Sequence, residues 1–163
     1  MSNNNSYSLF TSLLRRNPPA KALIFGSNHY PSVCGTVSFY QTPRGILIAA
    51  EINGLPTYSG VCKKNVFGFH IHENGCCTGN SDDPFADVGG HYNPENCPHP
   101  YHAGDLPPLI GTNGYAFSVF LTNRFTLGEI IGKTVIIHAS PDDFTTQPSG
   151  NSGEKMACGR IRI

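Results

Sequence analysis

A chain of 163 residues fits one domain and is long enough to bury most of the apolar surface of a core. Charged residues make up 13%, about half the ~25% usual in globular proteins, while hydrophobic residues reach 39%. Eleven basic residues balance eleven acidic ones, which excludes the high net charge of a disordered chain and the basic footprint of a nucleic-acid binder.

In chain order, residues 1–20, "MSNNNSYSLFTSLLRRNPPA", read as a flexible N-terminal extension, with a short amphipathic helix over 8–16 as the alternative. Ser and Thr interrupt "SLFTSLL", and Arg15 and Arg16 follow it rather than precede it, the reverse of a secretory signal. No run reaches the ~18 apolar residues that cross a bilayer. The expectation is a cytoplasmic protein, away from membranes, whose residues 21–163 form one folded domain.

Apolar and β-branched runs then predict strands at "VCGTVSFY" (33–40), "GILIAAEI" (45–52), "VFGFHIH" (66–72), "YAFSVFL" (115–121), "KTVIIHA" (133–139) and "ACGRIRI" (157–163). In the last of these, alternation places Ile161 and Ile163 inward and Arg160 and Arg162 toward water. The 18 glycines and 13 prolines fall between the runs, with "TPRG" and "TNG" as turn signals. Two segments, 73–114 and 139–156, show no period, and loops that long are usually functional or disordered. The pattern is all-β, a sandwich or barrel carrying two long functional loops.

Six of the seven histidines lie between 70 and 138. His70 and His72 stand two apart on a predicted strand, so both project from one face. His138 ends another strand, and "HYNPENCPHPYHAGD" packs His91, His99, His102 and Asp105 into one proline-rich loop. Imidazole-rich sites without thiolate suit copper, whereas three imidazoles and a carboxylate make a closed tetrahedral site for zinc. Seven such residues serve two four-coordinate ions only if one imidazole is shared. The six cysteines, at 34, 62, 76, 77, 97 and 158, fit no zinc-finger spacing. Their even number permits disulfides, while the missing secretory signal favours plain thiols.

Five motifs in this order, "GFHIHENG" (68–75), "GGHYNP" (89–94), "HAGDL" (102–106), "IIHASPDD" (136–143) and "GNSGEKMACGRI" (150–161), make the chain resemble the Cu/Zn superoxide dismutase family over residues 30–163. The resemblance implies an eight-stranded Greek-key β-barrel, a sandwich of immunoglobulin-like kind, with the site outside it under two long loops. It implies one copper ion held by His70, His72, His91 and His138, and one zinc ion held by His91, His99, His102 and Asp105. Asp142 matches the carboxylate that connects ligands of the two metals, an arrangement that fixes ring orientation and tautomer. The reaction implied is disproportionation of superoxide to oxygen and hydrogen peroxide by Cu(II)/Cu(I) cycling, with His91 carrying a proton. A homodimer is implied as well.

The chain departs from that pattern in three places. The family's anion-docking arginine, three residues before the last cysteine, is here Lys155, which keeps the charge but lacks the planar fork. The family's disulfide joins the loop after the double-histidine strand to Cys158. On the loop side the family spacing favours Cys77, with Cys76 as the alternative. Only Pro100 and Tyr101 separate His99 from His102, a shorter link than in most relatives, and Cys97 offers itself as a substitute zinc ligand. Two other functions compete: a silent copper-delivery or partner-binding relative, and a zinc-only structural protein. The filled set of copper positions counts against both, and the lack of an extra CxxC domain counts against the first.

Overall fold

The computed structural model describes residues 11–62 and 64–163. Alternation of inward and outward side chains builds strands β1 (Ala20–Gly26), β2 (Cys34–Thr42), β3 (Gly45–Asn53), β4 (Val66–Phe67) and β5 (Phe69–His72). After the long first loop come β6 (Leu109–Ile110), β7 (Ala116–Thr122), the helical turn α1 (Leu127–Ile130), β8 (Thr134–His138) and β9 (Lys155–Arg162). Seven strands form one antiparallel sheet in the order β5-β8-β9-β1-β2-β3-β7, and β4 pairs with β6. Because β4 leads into β5 and β6 lies beside β7, the small pair bridges the two open edges of the curled sheet. With β4 and β5 taken as one interrupted strand, this is the eight-stranded Greek-key barrel that the resemblance implied. Among the described residues no helix is long and apolar enough to cross a membrane.

The core is filled from alternate positions. Ile46, Ile48, Ala50 and Ile52 of β3 point inward and are fully buried, as are Val37 and Phe39 on β2, which face Ala50 and Ile48 in register. Phe67, Phe69, Ile71, Val135, Ile137 and Ile161 close the other side. Each Ile or Phe so buried contributes about 1.5–3 kcal/mol of transfer free energy. On the outer face a helical turn over residues 11–14 brings Leu13 onto Tyr40, Leu47 and Ala49. The remainder of the expected extension, residues 1–10, lies outside the described residues.

Three local readings change. β1 was not among the predicted runs, because its outward positions are also apolar: Leu23 and Phe25 are 48% and 64% exposed, which hides the alternation with Ala20, Ala22 and Ile24. The run "VFGFHIH" breaks at Gly68, where the Gly68 amide donates to Ser140 O and its carbonyl accepts from the His138 amide. Ile161 is buried and Arg160 and Arg162 are exposed as expected, but Ile163 is 94% exposed, since it lies beyond Arg162, where β9 and its register with β1 end.

Candidate metal centre

The candidate residues reach one place by two routes. His70 and His72 stand on β5, whose every residue is buried. β5 pairs with β8, so its neighbour supplies His138 from the strand end. A register shift between Ile137 and His138 marks a bulge there, the kind of irregularity that re-aims a side chain. The first long loop then docks on the free edge of β5 by backbone hydrogen bonds. Ile71 N donates to Gly104 O at 2.9 Å, Tyr92 N to Ile71 O at 2.8 Å, and Glu73 N to Gly90 O at 3.0 Å. This pairing sets His91 opposite His72 and Asp105 opposite His70.

Two groups of buried ligand atoms result. His70, His72, His91 and His138 form one, and His91, His99, His102 and Asp105 the other; within each, the atoms lie within 4.8 Å of one another. Only His91 belongs to both. His99 and His102, despite the compressed link, hold their ring centroids 5.4 Å apart.

The remaining ring nitrogens are fixed by partners. His70 Nε2 donates to Asp142 Oδ2 at 2.7 Å and His99 Nε2 to Asp142 Oδ1 at 2.9 Å. His72 Nδ1 donates to Gly89 O at 2.9 Å and His138 Nδ1 to Gly153 O at 3.2 Å. Such bonds select the tautomer and leave the other nitrogen as a lone-pair donor. Those other nitrogens, His70 Nδ1, His72 Nε2, His91 Nε2 and His138 Nε2, are buried without a hydrogen-bond partner, as are Nδ1 of His99 and of His102. A buried polar atom left unpaired costs about 1–3 kcal/mol, so six of them converging on two points fit two cations. His91 Nδ1 lies 2.7 Å from Asp105 Oδ1, and Asp105 Oδ2 lies 3.1 and 3.4 Å from Nδ1 of His99 and His102.

Burial sets the protonation that a metal needs. Desolvation, helped by the nearby His70, pushes His138 down to about 3. Burial likewise holds His72 well below its ordinary value and lowers His70 and His102. For Asp142 burial alone would raise the carboxyl, but hydrogen bonds from His70, the Phe144 amide and His99 hold it well below the usual carboxylate range. Burial and the His91 contact oppose each other at Asp105 in the same way, with a net lowering. Around neutral pH His70, His72, His102 and His138 are therefore unprotonated, and Asp105 and Asp142 are charged. Asp142 also needs room: at Gly150, with φ of 69°, a Cβ would fall 2.0 Å from Asp142 Oδ1 and 2.7 Å from His99 Nε2.

Every residue expected at a metal falls in one of the two groups, and Asp142 joins them. Cys97 does not: Asn93 brackets it, accepting from its amide and donating to its carbonyl, and it remains a free thiol. Cys77 and Cys158 form the disulfide, with Cα atoms 5.7 Å apart, and Cys76 is free and exposed. Lys155 opens β9 in register with His138 and pairs through its ammonium with Asp83. Sequence reasoning missed that partner. It also missed Arg124 and Gln147, whose bonds go to backbone atoms of the histidine loop and leave no spacing to read.

The family model for copper/zinc superoxide dismutase (SODC) matches residues 33–161. A superoxide dismutase [Cu-Zn] of Deinococcus radiodurans is 35% identical, with 78% of this chain and 76% of that one covered. The corresponding protein of Legionella pneumophila is also 35% identical, over 86% of this chain and 85% of its own. A solved structure, a double mutant of a SOD-like protein from Bacillus subtilis, superposes with a TM-score of 0.70 at 29% identity, covering 88% of this chain and 97% of that one.

Proposed function

The chain belongs to the copper/zinc superoxide dismutase family, and we propose from that premise how its two residue groups carry out the conversion of superoxide to oxygen and hydrogen peroxide. His70, His72, His91 and His138 would hold copper, and His91, His99, His102 and Asp105 would hold zinc. Copper in the first group supplies one-electron redox cycling, and zinc in the second supplies a fixed charge without redox chemistry of its own. The single observation that carries the assignment is the sorting of unpartnered nitrogens, four aimed into one group and two into the other beside Asp105.

The chain's own residues have separable tasks. His91 presents Nδ1 to Asp105 and a buried, unpartnered Nε2 to the strand histidines, so Nε2 is the atom that takes up a proton and passes it to the reduced substrate. Two superoxide ions and two protons give one dioxygen and one hydrogen peroxide, so proton delivery is half of the stoichiometry. Asp142 fixes the planes of His70 and His99 at once. Lys155 is the anion guide, its positive charge partly offset by Asp83. Positive potential at such a mouth raises the encounter rate with a small anion. We also propose that the protein works as a cytoplasmic homodimer, which sedimentation and cell fractionation test.

Metal analysis paired with a superoxide-consumption assay on the purified protein tests the reading. The expected result is one copper and one zinc per chain with rapid consumption. Full loading with both metals and no consumption would overturn it.

A further inference from the structure

The histidine loop is gripped from outside by two side chains that belong to neither metal group. Arg124, between β7 and α1, donates through Nη1 to His102 O at 3.2 Å and Asp105 O at 3.0 Å, with a longer contact to Pro100 O at 3.5 Å. Gln147, on the second long loop, grips the backbone of His99 at both ends. Its Nε2 donates to His99 O at 2.7 Å, and its Oε1 accepts from His99 N at 3.0 Å. Between them these two residues hold the main chain of all three zinc-side residues other than His91. Gln147 is itself presented by a fixed turn, in which Asp143 accepts hydrogen bonds from the amides of Thr145 and Thr146 and from both their hydroxyls.

We propose that Arg124 and Gln147 are positioning residues that preset His99, His102 and Asp105 for zinc and so control how fast zinc leaves. The proposal rests on the reading that this group holds zinc. The physical basis is preorganisation: a loop already ordered by fixed donors and acceptors gives up less freedom when its ligands close on an ion. The hydrogen bonds of these two side chains go to the histidine loop and not to β5 or β8, so the effect is centred on the loop-built group. This separates them from Asp142, which bonds a ligand from each group. The short Pro100–Tyr101 link makes such outside support consequential, because Arg124 reaches the carbonyls of Pro100 and His102 on either side of Tyr101, where no strand runs.

The test uses protein loaded with both metals and a colorimetric chelator that reports zinc and copper release separately. Gln147→Ala and Arg124→Ala should release zinc about ten- to a hundredfold faster, the usual range for groups that orient metal ligands. Copper release from molecules that still hold zinc should stay within about twofold of the wild type in both, and Arg124→Lys should fall between Arg124→Ala and the wild type. Should Arg124→Ala fail to fold, Gln147→Ala and Arg124→Lys carry the test. Unchanged zinc release, or equal acceleration of both metals as general loosening would give, overturns the proposal. A wild type that keeps copper but never zinc overturns instead the zinc reading beneath it.

Discussion

Three of the imidazoles stand on strands while three more ligand residues stand on a loop, and the two sets are held by different kinds of bond. His70, His72 and His138 inherit their places from the β5–β8 ladder, so the register that buries Ile71 and Ile137 also aims the rings. His99 and His102 lie in the stretch between the two short backbone docks on β5. There the main chain is fixed by side chains from elsewhere, Arg124 and Gln147. A sheet positions ligands as a by-product of forming a core; a loop must recruit each restraint individually. The strand half is therefore the sturdier, and the loop half the more adjustable.

Removing the residue common to both halves should break the comparison most completely. His91→Ala is expected to abolish superoxide consumption and to lower retention of both metals, by more than the ~10–100-fold typical of outer partners. Metal content after chelator washing, measured beside activity, checks it. Asp142→Ala comes next, because it cuts the tie between one residue of each half. Affinity at both groups should fall by about 10–100-fold, read by competition with a calibrated chelator.

Acid should separate the imidazoles from the carboxylates by pH window. At the histidines and aspartates of the two groups and at Asp142 the resolved shifts are downward, so there the unfolded chain binds more protons than the folded one, and stability is lost as pH falls. For the buried imidazoles, with His138 pushed down to about 3, that loss begins near the ordinary histidine value of about 6.5 and continues down to about 3. For Asp105 and Asp142 it begins only below the ordinary aspartate value of about 3.9. Urea denaturation of metal-free protein at a series of pH values should show the first loss well before the second. A curve that is flat between pH 6.5 and 4 would contradict the neutral, buried imidazoles. The smallest effect is expected at the mouth. Lys155→Ala should slow consumption about two- to tenfold at low salt and less at high salt, while Asp83→Asn should move the rate the other way. Equal rates for wild type and Lys155→Ala at low salt would remove Lys155 from the mechanism.

How much of this was legible in the sequence follows the same division. His70 and His72 could be read from spacing alone, since a strand's two-residue period forces them onto one face. The hydrophobic run carrying them also announced the strand. β1 escaped because Leu23 and Phe25 face outward and blur that period. Ile163 was misplaced because alternation holds only while a neighbouring strand continues alongside. The metal residues of the loop were visible as residue types, yet their grouping needed the resemblance, because no period orders "HYNPENCPHPYHAGD". Arg124 and Gln147 were invisible for a physical reason: a bond to a carbonyl or an amide can be made to any residue, so nothing at the receiving end marks it.

His91 lies in both groups, and Asp142 binds a member of each, so occupancy of one cannot be independent of the other. The two binding equilibria form a closed thermodynamic square. With copper in one group and zinc in the other, whatever factor either ion imposed on its neighbour's affinity would be returned in equal measure. A cell short of one ion would thereby alter its hold on the other, and the protein's metal complement would answer to the ratio of the two supplies as well as to each amount.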